Sequence, residues 1–370
     1  MVRAEEIERV AGALGRTVTG CRTLAGGFSH ETCLLELGSD RAVVRLGGRD
    51  PAIEAAVMAV AGGCVPVPEV LLVLPASAPG TASTPGTASA PETVSTLGTV
   101  ATPGTVAAGG PAPTGGSVRP AMVMEYVTGN LLSEVLYAAD GTDANALGDL
   151  GAEVGRVFAG IAEVTFGRPG FFADANLAVG EMPPWSEQLP GMAATCMERV
   201  PPTRLDPAAR RAWARLCAVH APALQRIDDQ ARLVHADANP KNVLVSRAGG
   251  GWRVDAVLDW EFSFSGCPYA DFANMTRFEA SYPEGFAAGF RAGFGERLPA
   301  DLPSHDNHDG HDNHHGHDDW AYLGRVMDMF ALSDLVTRPD GHPVADQAAA
   351  EILRWIAEGI PQGIRQGMPQ

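Results

Sequence analysis

Residues 232–245 read RLVHADANPKNVLV. A polar knot of His235, Asp237, Asn239, Lys241 and Asn242 is set between two short apolar runs. Of the 27 Lys and Arg side chains in the 370-residue chain, Lys241 is the only lysine. The spacing predicts a loop after LVHAD and a strand, NVLV, that begins directly after Asn242. The turn SRAGGGW then reverses the chain, and RVDAVLD returns as the partner strand, ending at Asp259. Such a hairpin carries Asp259 back beside the loop that holds Asp237 and Asn242. Two carboxylates and an amide oxygen then converge. All are hard oxygen ligands, and so small a set suits Mg²⁺, which keeps waters and borrows ligands from substrate phosphates.

Outward from this knot, composition separates two stretches from the rest. Residues 76–117 consist almost wholly of Ala, Gly, Pro, Ser, Thr and Val, with imperfect PGTAS and PGTV repeats. Such a tract buries too little apolar area to offset its ordering entropy, and is expected to be a disordered insert. Residues 304–319, SHDNHDGHDNHHGHDD, carry six of the ten histidines. They are expected to be a second loop expansion, with Zn²⁺ or Ni²⁺ binding the less favoured reading because no geometry is fixed.

The remainder falls into two parts. An amphipathic helix at the N-terminus precedes three alternating antiparallel strands in TVTGCRTLAGG and ETCLLELGSDRAVVRLGG. A helix follows in DPAIEAAVMAVAGG, with Asp50 as cap, Pro51 in the first turn and Gly62-Gly63 at its end. VPEVLLVL and AMVMEYV add two strands, and the low-complexity tract lengthens the hairpin between them. From Leu131 onward, long helical periodicities dominate, in NALGDLGAEVGRVFAGIAEV, DPAARRAWARLCAVHAPALQRI, AYLGRVMDMFALSDLVTR and VADQAAAEILRWIAEGI. The expectation is an α+β chain of two lobes: 1–127, an antiparallel sheet with one main helix, and 128–370, larger and mostly helical.

Bulk properties narrow the partners. The formal net charge is −17, which opposes nucleic-acid binding, since phosphate backbones are held by clustered Lys and Arg. An acidic surface favours cationic or amine-bearing small molecules. No window approaches 18 consecutive apolar residues, so no membrane span is expected. Six scattered cysteines without a CxxC pair, and no secretory signal, point to reduced thiols and a cytoplasmic location.

With these residues in view, the pattern becomes specific. His235-x-Asp237-x4-Asn242 followed by Asp259-Trp260-Glu261 resembles the catalytic signature of the aminoglycoside phosphotransferase and choline kinase-like family, within the protein-kinase-like fold. VLDWEFSFSGCPYADFANMTRF continues the family pattern, with Asp271 opening the helix after the metal loop. The resemblance implies that Asp237 orients or deprotonates an acceptor hydroxyl while Asn242 and Asp259 hold Mg²⁺ on ATP. It makes His235 structural, tying the loop together, and sets Trp260 beneath the metal loop.

The N-terminal half carries the same resemblance. LAGGFSHET, with Gly26, Gly27, Phe28, Ser29 and His30, lies where the phosphate-covering loop belongs. In AVVRL, Arg45 occupies the position of the usual phosphate-gripping lysine, and Glu54 is its natural partner. MEYV matches the hinge, where the Glu125 carbonyl and Val127 N–H would meet the adenine edge. Arg for Lys is not conservative, because guanidinium is a planar fork and ammonium a compact point charge. A pseudokinase is therefore one alternative.

Only eleven residues separate Asp259 from Asp271, too few for a phosphorylation-switched activation segment, and Ala236 stands where an arginine would read its phosphate. Both favour a small hydroxylated acceptor over a protein. An aminoglycoside-like antibiotic is one such acceptor, and an amino alcohol or sugar metabolite is the rival. Residues 170–204 and the final helices would form the acceptor wall, with Asp174, Glu181, Glu187, Glu279 and Glu284 available for amines. Lys241 has two readings, a solvent-facing loop residue or a cation near Asp237 and the γ-phosphate. The assembly is expected to be a monomer or homodimer.

Overall fold

In the computed structural model, residues 3–24, 30–76, 118–138, 143–303 and 319–361 are described. Gly26, Gly27, Phe28 and Ser29 lie outside them, as do 77–117 and 304–318 of the two expected inserts. Residue 319, expected within the second insert, is instead the first residue of a helix.

The N-terminal part opens with α1 (Ala4–Leu14) and continues through β1 (Gly20–Thr23), β2 (His30–Leu37), β3 (Asp40–Gly47), α2 (Pro51–Ala61), β4 (Val70–Leu74) and β5 (Ala121–Glu125). The strands form one five-stranded antiparallel sheet in the order β1-β2-β3-β5-β4. Its two faces follow from strand alternation. Cys33, Leu35, Ala42, Val44, Leu46, Ala121 and Val123 face one way and pack with Val10 of α1. Met122 and Met124 face the other way, with Val57, Met58 and Ala61 of α2. Arg45 belongs to this second face, opposite Thr32 on β2 and Met122 on β5. α2 starts as the sequence predicts: the Asp50 side chain accepts from Ala52 N at 2.9 Å and Pro51 is the first helical residue, a position that needs no N–H.

Beyond the sheet come β6 (Asn130–Leu131), α3 (Leu132–Tyr137), α4 (Ala144–Ile161), β7 (Gly170–Phe171), α5 (Trp185–Arg199) and α6 (Pro207–His220). Then follow β8 (Arg232–Val234), β9 (Val243–Ala248), β10 (Gly251–Val257), β11 (Phe264–Gly266), α7 (Tyr269–Thr276), α8 (Phe286–Arg297), α9 (Asp319–Leu335) and α10 (Pro343–Glu358). The predicted hairpin is β9–β10, with Val243 opposite Val257. It returns Leu258 to Asn242, Leu258 N donating to Asn242 O at 2.8 Å. Three helices went unread in the sequence: α3, α5, with Pro190 inside it, and α8.

The α4–α8 crossing is a backbone contact. A Cβ on Gly151 would lie 2.2 Å from Phe286 O, and one on Gly293 would lie 2.0 Å from Ala152 O. Only glycine permits that approach. It draws Phe286, Phe290 and Phe294 of α8 into the core, where all are fully buried. Phe158 of α4 packs edge-on to Phe290 and also to His235, so the crossing braces the polar loop from below.

Candidate active site

The loop between β8 and β9 is fixed by its own polar residues. Asp271, in the first turn of α7 and completely buried, accepts from His235 N and Ala236 N, each at 2.8 Å. Burial pushes its carboxyl up to about 6 although His235 and the two N–H bonds favour the charge. His235 uses both ring nitrogens. Nε2 lies 2.8 Å from Leu258 O, and Asp237 N donates to Nδ1 at 3.2 Å. A ring that accepts at Nδ1 and donates from Nε2 is neutral, and burial lowers its pKa accordingly. Trp260 lies against this ring, with centroids 4.6 Å apart. Ala236 and Asp259 both take left-handed backbone, φ 68° and 66°. Non-glycine residues hold such angles only where surrounding bonds impose them.

That frame aims Asp237 outward. Its Oδ2 accepts from Asn242 Nδ2 at 2.8 Å and its Oδ1 from Asn239 Nδ2 at 2.9 Å. With its amide nitrogen committed to Asp237, Asn242 keeps its amide oxygen as the atom able to bind a cation. Lys241 Nζ lies 4.0 Å from Asp237 Oδ2 and remains largely exposed. Burial raises the Asp237 carboxyl to about 6. The nearby Lys241 lowers it, Asp259 raises it and the Asn242 hydrogen bond lowers it.

The sheet supplies the other half. Arg45, buried on β3, donates from Nη1 to Glu54 Oε1 of α2. Its Nη2 lies 2.8 Å from His30 Nδ1 and 3.0 Å from Asp259 Oδ1, with Glu261 Oε2 at 3.9 Å. Burial works against the guanidinium charge, and Glu54, Asp259 and Glu261 outweigh it, so its pKa is raised. Glu54 also accepts from Trp260 N at 3.1 Å, joining α2 to the segment after β10. Burial raises its carboxyl to about 6 against the pull of Arg45.

Of the residues expected at the site, the structure brings Asp237, Asn242, Asp259, Arg45, Glu54, His235, Lys241 and Asp271 to one junction. Glu125 ends β5, where its side chain accepts from Glu69 N at 3.0 Å, and the half-buried Val127 follows directly. Asn239 and Glu261 went unassigned in the sequence, and His30, expected in the phosphate-covering loop, is instead the first residue of β2. Each stood inside a motif already quoted, and Asn239 shows the two-residue spacing at which a side chain reaches back to its own loop.

The donors suit a divalent cation held by oxygen. Three carboxylates, Glu54, Asp259 and Glu261, converge on one guanidinium, leaving negative charge in excess, and Asn242 adds a neutral oxygen. The acids expected to receive amines are mostly engaged elsewhere. Glu279 pairs with Arg325 at 2.9 Å and lies 3.9 Å from Arg291. Glu181 pairs with Arg168 at 3.0 Å, and Asp174 accepts from Asn176 N and Ala178 N in its own turn. Glu187 and Glu284 are exposed. No helix among the described residues is long and apolar enough to cross a membrane.

Comparison with known proteins matches this architecture. The profile of the phosphotransferase enzyme family covers residues 20–308. Aminoglycoside phosphotransferase APH(4)-Ia superposes with a TM-score of 0.62 at 16% identity, over 97% of this chain and 100% of that one. A thermostable mutant of that protein, in ternary complex with ADP and hygromycin B, gives 0.60 at 15% identity, over 95% and 98%. APH(2")-IIIa in complex with GDP and kanamycin gives 0.57 at 14% identity, over 96% and 98%. At these identities the superpositions establish the two-lobed, kinase-like α+β fold. A sequence comparison with curated proteins found no match.

Proposed function

The chain belongs to the phosphotransferase enzyme family, and from that premise we propose that it transfers the γ-phosphate of ATP to a hydroxyl of a small molecule. The observation that carries this reading is the meeting of Asp237, Asn242, Asp259 and Arg45 at one junction, with Arg45 Nη2 3.0 Å from Asp259. Asp237 is ionised at neutral pH, yet its raised pKa leaves it basic enough to take the acceptor's hydroxyl proton as the new O–P bond forms. Asn239 and Asn242 hold both of its oxygens and set the direction in which the free lone pairs point. Arg45 supplies the phosphate-binding cation, and Glu54 fixes it from behind. Asn242 and Asp259 are the residues that would hold Mg²⁺, which when bound brings positive charge to the phosphate oxygens. The hinge residues Glu125 and Val127 would meet the adenine, and Gly26, Gly27, Phe28 and Ser29 would serve the phosphates.

For the acceptor, an aminoglycoside-like antibiotic is the first reading, because the solved relatives include complexes with hygromycin B and kanamycin. A small hydroxylated metabolite, an amino alcohol or a sugar, is the second. The prior commitment of Glu279 to Arg325 favours the sugar. Phosphate transfer from labelled ATP across aminoglycosides, sugars and amino alcohols separates the two. Asp237→Ala should lower the rate roughly 10²–10⁴-fold while AMP-PNP still binds. Transfer that survives this substitution sinks the assignment of Asp237. A wild-type chain that binds Mg·ATP but phosphorylates nothing is a pseudokinase.

A further inference from the structure

We propose that His30 is a positioning residue that fixes the Arg45 guanidinium, so that an arginine can do at this site what a lysine does with one ammonium. The inference rests on the reading of Arg45 as the phosphate-binding cation. β2 and β3 pair with Thr32 opposite Arg45 and His30 opposite Gly47. His30 is two residues from Thr32, so strand alternation turns it to the same face as Arg45. There its Nδ1 lies 2.8 Å from Arg45 Nη2. Gly48, at φ 83°, makes room: a Cβ there would lie 3.5 Å from His30 Cβ and 3.2 Å from Glu261 Oε2.

The two cations place different demands on their surroundings. An ammonium is compact, with three rotatable donors, whereas a buried guanidinium presents five N–H groups in a fixed plane. Each buried donor left without a partner costs stability, and one nitrogen held alone leaves the plane free to pivot. Glu54 holds Nη1, and Nη2 has two near acceptors, His30 and Asp259. Asp259 is the carboxylate assigned to Mg²⁺. When it serves the metal, His30 is the acceptor that still holds Nη2 and keeps the fork aimed at the phosphates. Accepting at Nδ1 puts the His30 proton on Nε2.

The test is a double-mutant cycle read by AMP-PNP binding in Mg²⁺, which needs no acceptor. His30→Leu removes the nitrogen acceptor, whereas His30→Gln offers an amide oxygen. Against Arg45, His30→Leu should weaken AMP-PNP binding about tenfold, the loss expected for one hydrogen bond to a charged group, and His30→Gln should restore most of it. In an Arg45→Lys background the same His30→Leu change should alter binding less than about twofold. Equal losses in both backgrounds, or no loss against Arg45, overturn the proposal. Imidazole nitrogen chemical shifts give a readout without nucleotide. They should place the His30 proton on Nε2 and change on Arg45→Lys; unchanged shifts also overturn it. Failure of the wild-type chain to bind AMP-PNP would overturn the phosphotransfer reading instead, with the shifts still testing the His30–Arg45 contact.

Discussion

The two halves of the site are held by different kinds of bond. In the loop of residues 235–242 the anchors are close in the chain and run largely to backbone. Asp271 reaches two N–H groups 35 and 36 positions away, and Asn239 and Asn242 reach Asp237 over 2 and 5 positions. In the other half, contacts reach across the lobes. Arg45 meets Asp259 over 214 positions, and Glu54 reaches Trp260 N over 206. The loop is assembled once its own lobe folds, whereas the Arg45 cluster gains Asp259, Glu261 and Trp260 only when the lobes meet. Damage to the first should therefore cost stability and rate together, and damage to the second should cost nucleotide affinity first.

The largest effect is expected at the loop's anchor. Asp271→Ala orphans two buried N–H groups, each costing about 1–3 kcal/mol when left unpaired, and releases the left-handed backbone at Ala236. Denaturant unfolding should show a loss of roughly 2–6 kcal/mol by that rule, with turnover falling in parallel. A variant that kept both stability and rate would show that the loop does not depend on α7.

Next in size is a change in the lobe junction. Glu54→Gln keeps an oxygen for Trp260 N and removes the charge facing Arg45. The expected result is AMP-PNP binding weaker by about tenfold, from the loss of one charge-assisted bond, with a smaller stability loss than Asp271→Ala gives. Because burial holds Glu54 near 6, wild-type affinity should decline in the same direction as pH drops through 6 and Glu54 takes up a proton. If Glu54→Gln unfolded the chain as readily as Asp271→Ala, the distinction between the two halves would be lost.

The same contrast explains what the sequence could reveal. Asp237, Asn242 and Asp259 were legible because one hairpin sets their relation, and a hairpin is readable from alternation and turn residues. Arg45 and Glu54 were assigned through the resemblance to a family, and alternation along β3 then put Arg45 on the α2 face. His30 was read as part of the phosphate-covering loop, since its contact with Arg45 depends on cross-strand register, which a local window does not record. The α8 helix escaped for a related reason. Its glycines lower helix propensity, and only the backbone of α4 explains why they are needed. The acids expected along the acceptor wall show the converse limit. Nothing in the spacing of Glu279 revealed that Arg325, 46 positions on, would take it.

The smallest expected effect concerns Lys241. On the proposed reading Asp237 must be ionised to accept a proton, so turnover should fall as pH drops through about 6, the value to which burial raises it. Lys241, 4.0 Å from Asp237 Oδ2 and largely exposed, favours the charged carboxylate. Removing it should move this acid limb to higher pH while leaving the plateau near wild type, because water screens an exposed cation. Lys241→Arg should keep the limb in place. The comparison of Lys241→Ala with Lys241→Arg at saturating ATP then decides between its two roles. A shifted limb over an intact plateau makes the lysine a tuner of Asp237, and a collapsed plateau at every pH would instead set its ammonium against the transferring phosphate.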